Sequence, residues 1–413
     1  MSDKSSHDAA QIGALEERHL FQNYGRRQIV LVRGQGCYVY DDQGKQYLDF
    51  ISGIGVNALG HGHARVIEAI RDQAGTLMHC SNLYAHPYQG PLAEKLTRMS
   101  GLDRAYFCNS GAEAIEAALK IAKGYGRSKS PDKTEIVALN NSFAGRTLGA
   151  VSVTGQPKYR QPFEPLIPDV KFVDANHAAA LEAAVSDKTA AIMFEPILGE
   201  GGIVRITREF ARKASDLAQQ HDALLLLDEI QCGLGRTGEY FAFQAWNDGE
   251  SAAIRPDIVT LAKPLGGGMP IGAVLATDRA ADVLSPGMHG STFGGNALAC
   301  RIALEVLDVL DEILPRVRET GAHFQKRLSE LVDKYDFVSE VRGCGLMRGL
   351  NLTAPGKSVV PAMAEKGFLM NCTAGTVLRF LPPYIIEPEH IDQLVEALEQ
   401  LFDAGLPKAV VSG

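Results

Sequence analysis

Two short apolar runs, each stopped by a single charged residue, constrain this chain more than any other feature. Residues 223–227 (ALLLL) end at Asp228, and residues 258–262 (IVTLA) end at Lys263, with a glycine triplet (Gly266, Gly267, Gly268) close behind. Runs this short and this apolar read as strands buried on both faces of a parallel sheet. Ligands in open α/β sheets lie beyond the carboxyl ends of such strands. A lysine placed there is a poor surface residue and a good Schiff-base amine, because burial lowers its pKa and frees the nucleophilic form. An aspartate nearby can hold a pyridinium nitrogen protonated, which makes pyridoxal phosphate an electron sink. For Lys263 alone, a solvated loop charge is an equal alternative. Together with Asp228, Gln231 and the triplet, the cofactor reading prevails.

Composition narrows the classes further. A chain of 413 residues can bury a large core and should hold more than one lobe. Lys and Arg number 41 against 49 Asp and Glu, a net charge of −8 with no basic run, so neither nucleic acid nor an anionic membrane is an expected partner. The seven cysteines are scattered and contain no CxxC pair, which points to a reducing compartment with neither a disulfide framework nor a zinc site. No metal is expected. No apolar run approaches the ~18 residues of a membrane span, and the opening MSDKSSHDAAQ lacks the apolar core of a signal peptide. The expected location is the cytoplasm.

In chain order, an amphipathic helix is expected near residues 12–24, then an antiparallel hairpin about the 41–44 turn. The glycine-rich GIGVNALGHGHA precedes a helix from Ala64; within it, Asn57 reads as a turn cap or a substrate-side residue. AYFCNSGAEAIEAALK reads as strand, turn and helix, with Ser110 and Gly111 where the helix begins. Free backbone N–H groups and the positive dipole end make such a terminus a ready phosphate seat, here offered by Gly111 and Ala112. VKFVDA, a helix from Asn176 and AAIMFEPILGEGG continue the strand–helix alternation. Repeated units of this kind imply an α/β fold with a mainly parallel, doubly wound sheet. A long helix from Asn296, a second helix over 316–334, three short strands (VSEVRG, MRGLNL, VLRFLPP) and a closing helix from Pro388 would build a smaller α+β lobe. Polar residues 247–255 read as a surface loop inserted ahead of the lysine strand.

DEIQCGLGRTG (228–238), TLAKPLGGG (260–268) and GSTFGGN (290–296) resemble the class III, ornithine-type aminotransferases of PLP fold type I, and the resemblance runs from Tyr24 to the last helix. It implies a segment 1–50 packing with the small domain, a large cofactor-binding domain 51–295 and a small domain 296–413. It implies that Lys263 binds pyridoxal phosphate covalently, that Asp228 holds the ring nitrogen and that Gln231 meets the ring oxygen. Phe143 would stack on the ring, and Ser110, Gly111, Ala112 and Glu229 would complete the cofactor set. Thr292 would reach the phosphate of the partner subunit in a homodimer with shared sites. For substrate it implies Arg146 on the distal carboxylate, Arg379 on the α-carboxylate, Glu200 as the alternating partner of an arginine, and Ser291 and Tyr24 as further contacts.

The acetylornithine branch is the most similar. It implies transfer of the terminal amine of N2-acetyl-L-ornithine to 2-oxoglutarate, giving N-acetyl-glutamate 5-semialdehyde and L-glutamate, a step of arginine biosynthesis. Leu198 stands where that branch commonly has glutamine, and Ala144 where many relatives have histidine. Succinylornithine, ornithine, 4-aminobutyrate and N-succinyl-diaminopimelate therefore stay open as donors. A PLP-dependent aminomutase is the alternative from another reaction class.

Overall fold

The computed structural model describes residues 9–24, 29–247 and 253–407. Most of the 247–255 insertion, namely 248–252, lies outside them, as do 1–8, 25–28 and 408–413.

A seven-stranded sheet forms the centre, in the spatial order Arg104–Cys108, Gly272–Ala276, Ile258–Leu261, Leu224–Asp228, Thr189–Phe194, Glu135–Leu139, Val170–Val173. Only Gly272–Ala276 runs antiparallel to its neighbours. The alternation of side chains explains why the runs are apolar throughout. Leu224 and Leu226 enter a core on one face with Ala114, Ile115 and Ala118 of the Gly111–Lys129 helix; Leu225 and Leu227 enter the other face with Phe210 and Ala214 of the Arg208–Gln220 helix. A polar residue at any of these positions would lose water on either face.

The two runs ending at Asp228 and Lys263 are adjacent and parallel, with Leu226 opposite Ile258 and Asp228 opposite Thr260. Their carboxyl ends therefore open onto the same edge of the sheet. Lys263 follows at once as the first residue of the short turn Lys263–Gly266.

Around this sheet lie smaller ones. The expected hairpin about 41–44 is present as Tyr38–Asp41 with Gln46–Asp49, and Leu31–Gln35 adds a third strand. The C-terminal strand Phe368–Leu369 pairs in parallel with Gln46–Asp49, so the two ends of the chain share one sheet. A second four-stranded antiparallel sheet holds Val338–Cys344, Met347–Leu352, Val377–Phe380 and Asn371–Thr373, in that order.

Three helix boundaries depart from expectation. The first helix is Ala9–His19, ending well before Tyr24. The helix expected from Asn176 is Ala178–Ala184, capped by the His177 ring rather than by an asparagine. The helices expected from Asn296 and over 316–334 are one, Ala297–Lys334, with Pro315 inside it. Proline lacks the N–H for its own intrahelical bond, which is why it reads as a break. The apolar stripe overrides it: Leu310, Leu314, Val317, Phe324, Leu328 and Leu331 are all buried on one continuous face.

Candidate active site

The site gathers where Asp228, Lys263 and Glu195 emerge from the sheet. Asp228 is buried; its Oδ1 accepts from the Ile230 N–H (3.0 Å) and from the Thr260 hydroxyl (3.1 Å). Burial nonetheless pushes its carboxyl up to about 6. The Lys263 amine is pushed the other way: burial lowers its pKa, against the opposing pull of Asp228, Glu200 and Glu195. Desolvation is the physical cause in both cases, because it penalises whichever form is charged. The result is an amine with more of its nucleophilic form beside a carboxyl that waits for a cationic partner.

Glu195 was not singled out from the sequence, yet it carries the same signature as the other two. The apolar strand Thr189–Phe194 stops at this single charge. Its Oε2 accepts from the Phe143 N–H (2.9 Å) and its Oε1 from the Gly199 N–H (3.1 Å), so one buried carboxyl fixes both the Phe143 loop and the loop leading to Glu200. Burial first, and Asp228 second, push it up to about 8. Glu229, also expected in the cofactor set, lies beside Asp228. Fully buried, it spends both carboxylate oxygens on the backbone N–H groups of Ala242 (2.7 Å) and Phe243 (2.9 Å), and so holds that turn.

Arg379, expected to bind the α-carboxylate, is delivered by the strand Val377–Phe380 and is only 1% exposed. Its Nη1 donates to Glu200 Oε1 at 2.5 Å, and also to the Gly199 carbonyl and Gln231 Oε1 at 3.3 Å; its Nε donates to Asn371 Oδ1 at 3.0 Å. A lone buried guanidinium would be costly, and here it is surrounded by acceptors. Gln231 can approach because residue 199 is glycine: a Cβ there would stand 2.2 Å from Gln231 Oε1. The Glu200–Arg379 pair thus touches the DEIQ motif directly, through Gln231.

Ser110 caps the Gly111–Lys129 helix, its hydroxyl accepting from the Glu113 N–H at 3.2 Å. The amides of Gly111 and Ala112 lie in that first turn, beyond the reach of any intrahelical carbonyl. Ser291 sits beside this terminus, accepting from the Asn109 side chain and the Gly294 N–H, both at 3.0 Å. Thr292 faces outward and is exposed. Phe143 and Arg146 lie together, Arg146 being exposed and its guanidinium facing the Phe143 and Tyr159 rings. Tyr24 is 79% exposed at the end of the described N-terminal stretch. Asn57 abuts the triplet: its Oδ1 lies 3.1 Å from where a Cβ of Gly268 would be.

These donors suit pyridoxal phosphate. A desolvated amine can bond an aldehyde, a buried carboxyl can face a ring nitrogen, and a capped helix terminus can hold a dianion. A family description, aminotransferase class-III, matches residues 21–402. The chain belongs to the class-III aminotransferases. Among relatives of this aminotransferase, the acetylornithine aminotransferase of Methanocaldococcus jannaschii is 50% identical over 94% of this chain and 97% of its own. Solved structures agree. The acetylornithine aminotransferase of Elizabethkingia anophelis superposes with a TM-score of 0.83 at 32% identity, covering 96% of this chain and 99% of the other. The ornithine aminotransferase of Toxoplasma gondii, with PLP at its active site, gives 0.89 at 35% identity, covering 96% and 95%. For this aminotransferase, membership and such neighbours imply pyridoxal phosphate as the cofactor. Among its described residues no helix is long and apolar enough to cross a membrane.

Proposed function

We propose that the chain transfers the terminal amine of N2-acetyl-L-ornithine to 2-oxoglutarate. The observation that carries this reading is the buried Arg379 paired with Glu200 beside the desolvated Lys263. Acetylornithine presents an amine with its carboxylate far away, whereas 2-oxoglutarate presents a carboxylate beside the reacting carbon. A guanidinium that is neutralised for the first substrate and released for the second serves both. The identity to acetylornithine aminotransferases over nearly the whole chain supports the same donor.

Pyridoxal phosphate, when bound, supplies the carbon that takes up the amino group and the electron sink for the C–H bond that breaks. Lys263 would hold it covalently and then, freed, carry the proton between the substrate carbon and the cofactor carbon through Nζ. Asp228 would keep the ring nitrogen protonated, Gln231 would contact the ring oxygen, and Phe143 would stack on the ring. Ser110, Gly111 and Ala112 would hold the phosphate. Arg146 would take the distal carboxylate and Arg379 the α-carboxylate. Ser291 and Tyr24 remain in the proposed substrate set.

The proposed working unit is a homodimer. Exposed apolar side chains gather around Thr292: Met78, Leu83, Tyr84 and Phe293 are 57%, 82%, 70% and 61% exposed. The Asn82 side chain donates to the Ser291 and Gly294 carbonyls, and the Leu298 N–H donates to the Met78 carbonyl, so these residues form one surface. A contiguous apolar patch of this kind marks an interaction face, and on it Thr292 would reach the partner's phosphate. Residues 1–50 with 296–413 would form the small domain, supported by the sheet that both chain ends share. A reducing, cytoplasmic setting fits the free cysteines.

Amine-donor profiling with 2-oxoglutarate as acceptor tests the reading. Acetylornithine should give the highest kcat/KM among acetylornithine, succinylornithine, ornithine and 4-aminobutyrate. A higher value for ornithine or 4-aminobutyrate would replace the substrate, and turnover without 2-oxoglutarate would replace the reaction class.

A further inference from the structure

We propose that Tyr159 is the positioning residue that aims Arg146 at the distal carboxylate, and so shares in donor specificity. This rests on the reading of Arg146 given above. Tyr159 lies in the short helical turn Pro157–Arg160 and is half-buried. The Arg146 guanidinium carbon stands 4.0 Å from the centre of its ring. The same ring meets Phe143 edge-on, at 6.1 Å and 86°, and the Arg146 guanidinium is 5.6 Å from the Phe143 ring. Three residues thus form one aromatic–cation cluster, with Phe143 tied to Glu195 through its backbone N–H and Arg146 exposed.

The geometry of a guanidinium explains what this contact does. Its charge is attracted to an aromatic face by the ring quadrupole, while its N–H groups lie in its own plane, at its edges. An ion pair with a protein carboxylate would occupy those edges and compete with substrate. A ring holds the group without occupying them. Among the described residues Arg146 forms no ion pair with a carboxylate, and its guanidinium faces the two rings. The planar fork stays available for bidentate binding of a carboxylate. Lys158 adds a second cation near the Tyr159 ring, its Nζ 4.7 Å from the centre. The edge contact with Phe143 also couples Phe143 to Arg146, because a shift of the Tyr159 ring would displace both the expected stacking residue and the proposed carboxylate-binding one.

Local sequence carries no signal of this contact. Tyr159 stands 13 positions beyond Arg146, in a polar stretch (GQPKYRQPFEP) with no periodic signal.

Tyr159→Leu keeps an apolar side chain and removes the ring; Tyr159→Phe keeps the ring and removes the hydroxyl. With the cofactor-loaded enzyme, Tyr159→Leu should raise KM for acetylornithine about tenfold at little change in kcat, and Tyr159→Phe should stay close to the parent. Butylamine, an amine donor without a carboxylate, should show the same KM in all three. Calorimetric titration with glutarate, which binds without reacting, should repeat the loss in affinity for Tyr159→Leu alone. Arg146→Ala is the companion variant. If it weakens glutarate and acetylornithine while Tyr159→Leu leaves both unchanged, the positioning role is overturned and the reading of Arg146 survives. If Arg146→Ala changes neither, that reading fails and takes this one with it. An equal loss with butylamine, or a Tyr159→Phe variant as weak as Tyr159→Leu, also overturns the proposal.

Discussion

Burial raises the Asp228 carboxyl from 3.8 to about 6 in the cofactor-free protein, at a position where a cationic ring nitrogen would want it ionised. At about 1.36 kcal/mol per pKa unit, that shift is on the order of 3 kcal/mol. The native state holds this proton more tightly than the unfolded chain does. Its contribution is therefore complete below the unfolded value of 3.8 and is lost as pH rises through about 6. In urea melts of cofactor-free protein, the parent should lose roughly 3 kcal/mol relative to Asp228→Asn between about pH 4 and 6, and nothing more above. Parallel curves would show that burial is not what sets this carboxyl. With pyridoxal phosphate bound the difference should shrink, because the protonated ring nitrogen favours the anion. The second prediction at this scale concerns Glu200. Without it the Arg379 charge keeps only neutral acceptors, from Gly199, Gln231 and Asn371. Glu200→Ala should accordingly favour donors that react at an α-amine, with the carboxylate beside the reacting carbon, such as glutamate, over acetylornithine by roughly tenfold or more in single-turnover half-reactions. An equal fall for both donors would leave Glu200 a structural residue.

Among elements, the strands were the most legible and the helix ends the least. The runs ending at Asp228 and Lys263 lie within a residue of their expected positions because a strand buried on both faces must be apolar throughout. Pro315 shows the opposite case, since local chemistry says stop while the apolar stripe continues through it. The proline is exposed and occupies a helix interior, where a missing hydrogen bond and a ring clash cost about 3 kcal/mol. Pro315→Ala should therefore stabilise the protein by about 1–3 kcal/mol in urea unfolding, less than the full cost if the helix has relaxed around the ring. A destabilised variant would mean that the packing of this helix depends on the bend proline imposes.

For the whole molecule, the exposed apolar surface around Thr292 predicts that a monomer has an incomplete site. Subunits inactive through Lys263→Ala and subunits inactive through a Thr292 substitution should, when mixed and exchanged, recover about a quarter of parent activity, the share statistical mixing gives to one intact site of four in random dimers. No recovery despite demonstrated exchange would place Thr292 in its own subunit's site or outside any site.

The sequence by itself marked candidate residues for chemistry wherever a single charge interrupts an apolar run, because an ionisable group at the buried end of a strand is costly unless a partner or a function keeps it there. Asp228 and Lys263 were legible on that ground, and Glu195 could have been. It also determined the sheet and the helix terminus at Ser110, whose signals are local. The tertiary structure alone decided which partners these groups have. Arg379 and Glu200 lie 179 positions apart in sequence and 2.5 Å apart in space. Glu229 stands beside Asp228 in the chain and faces a different turn. Tyr159 reaches Arg146 through a polar stretch with no periodicity. Contacts of this kind depend on how separate loops meet at one sheet edge, and strand or helix patterning does not encode that meeting.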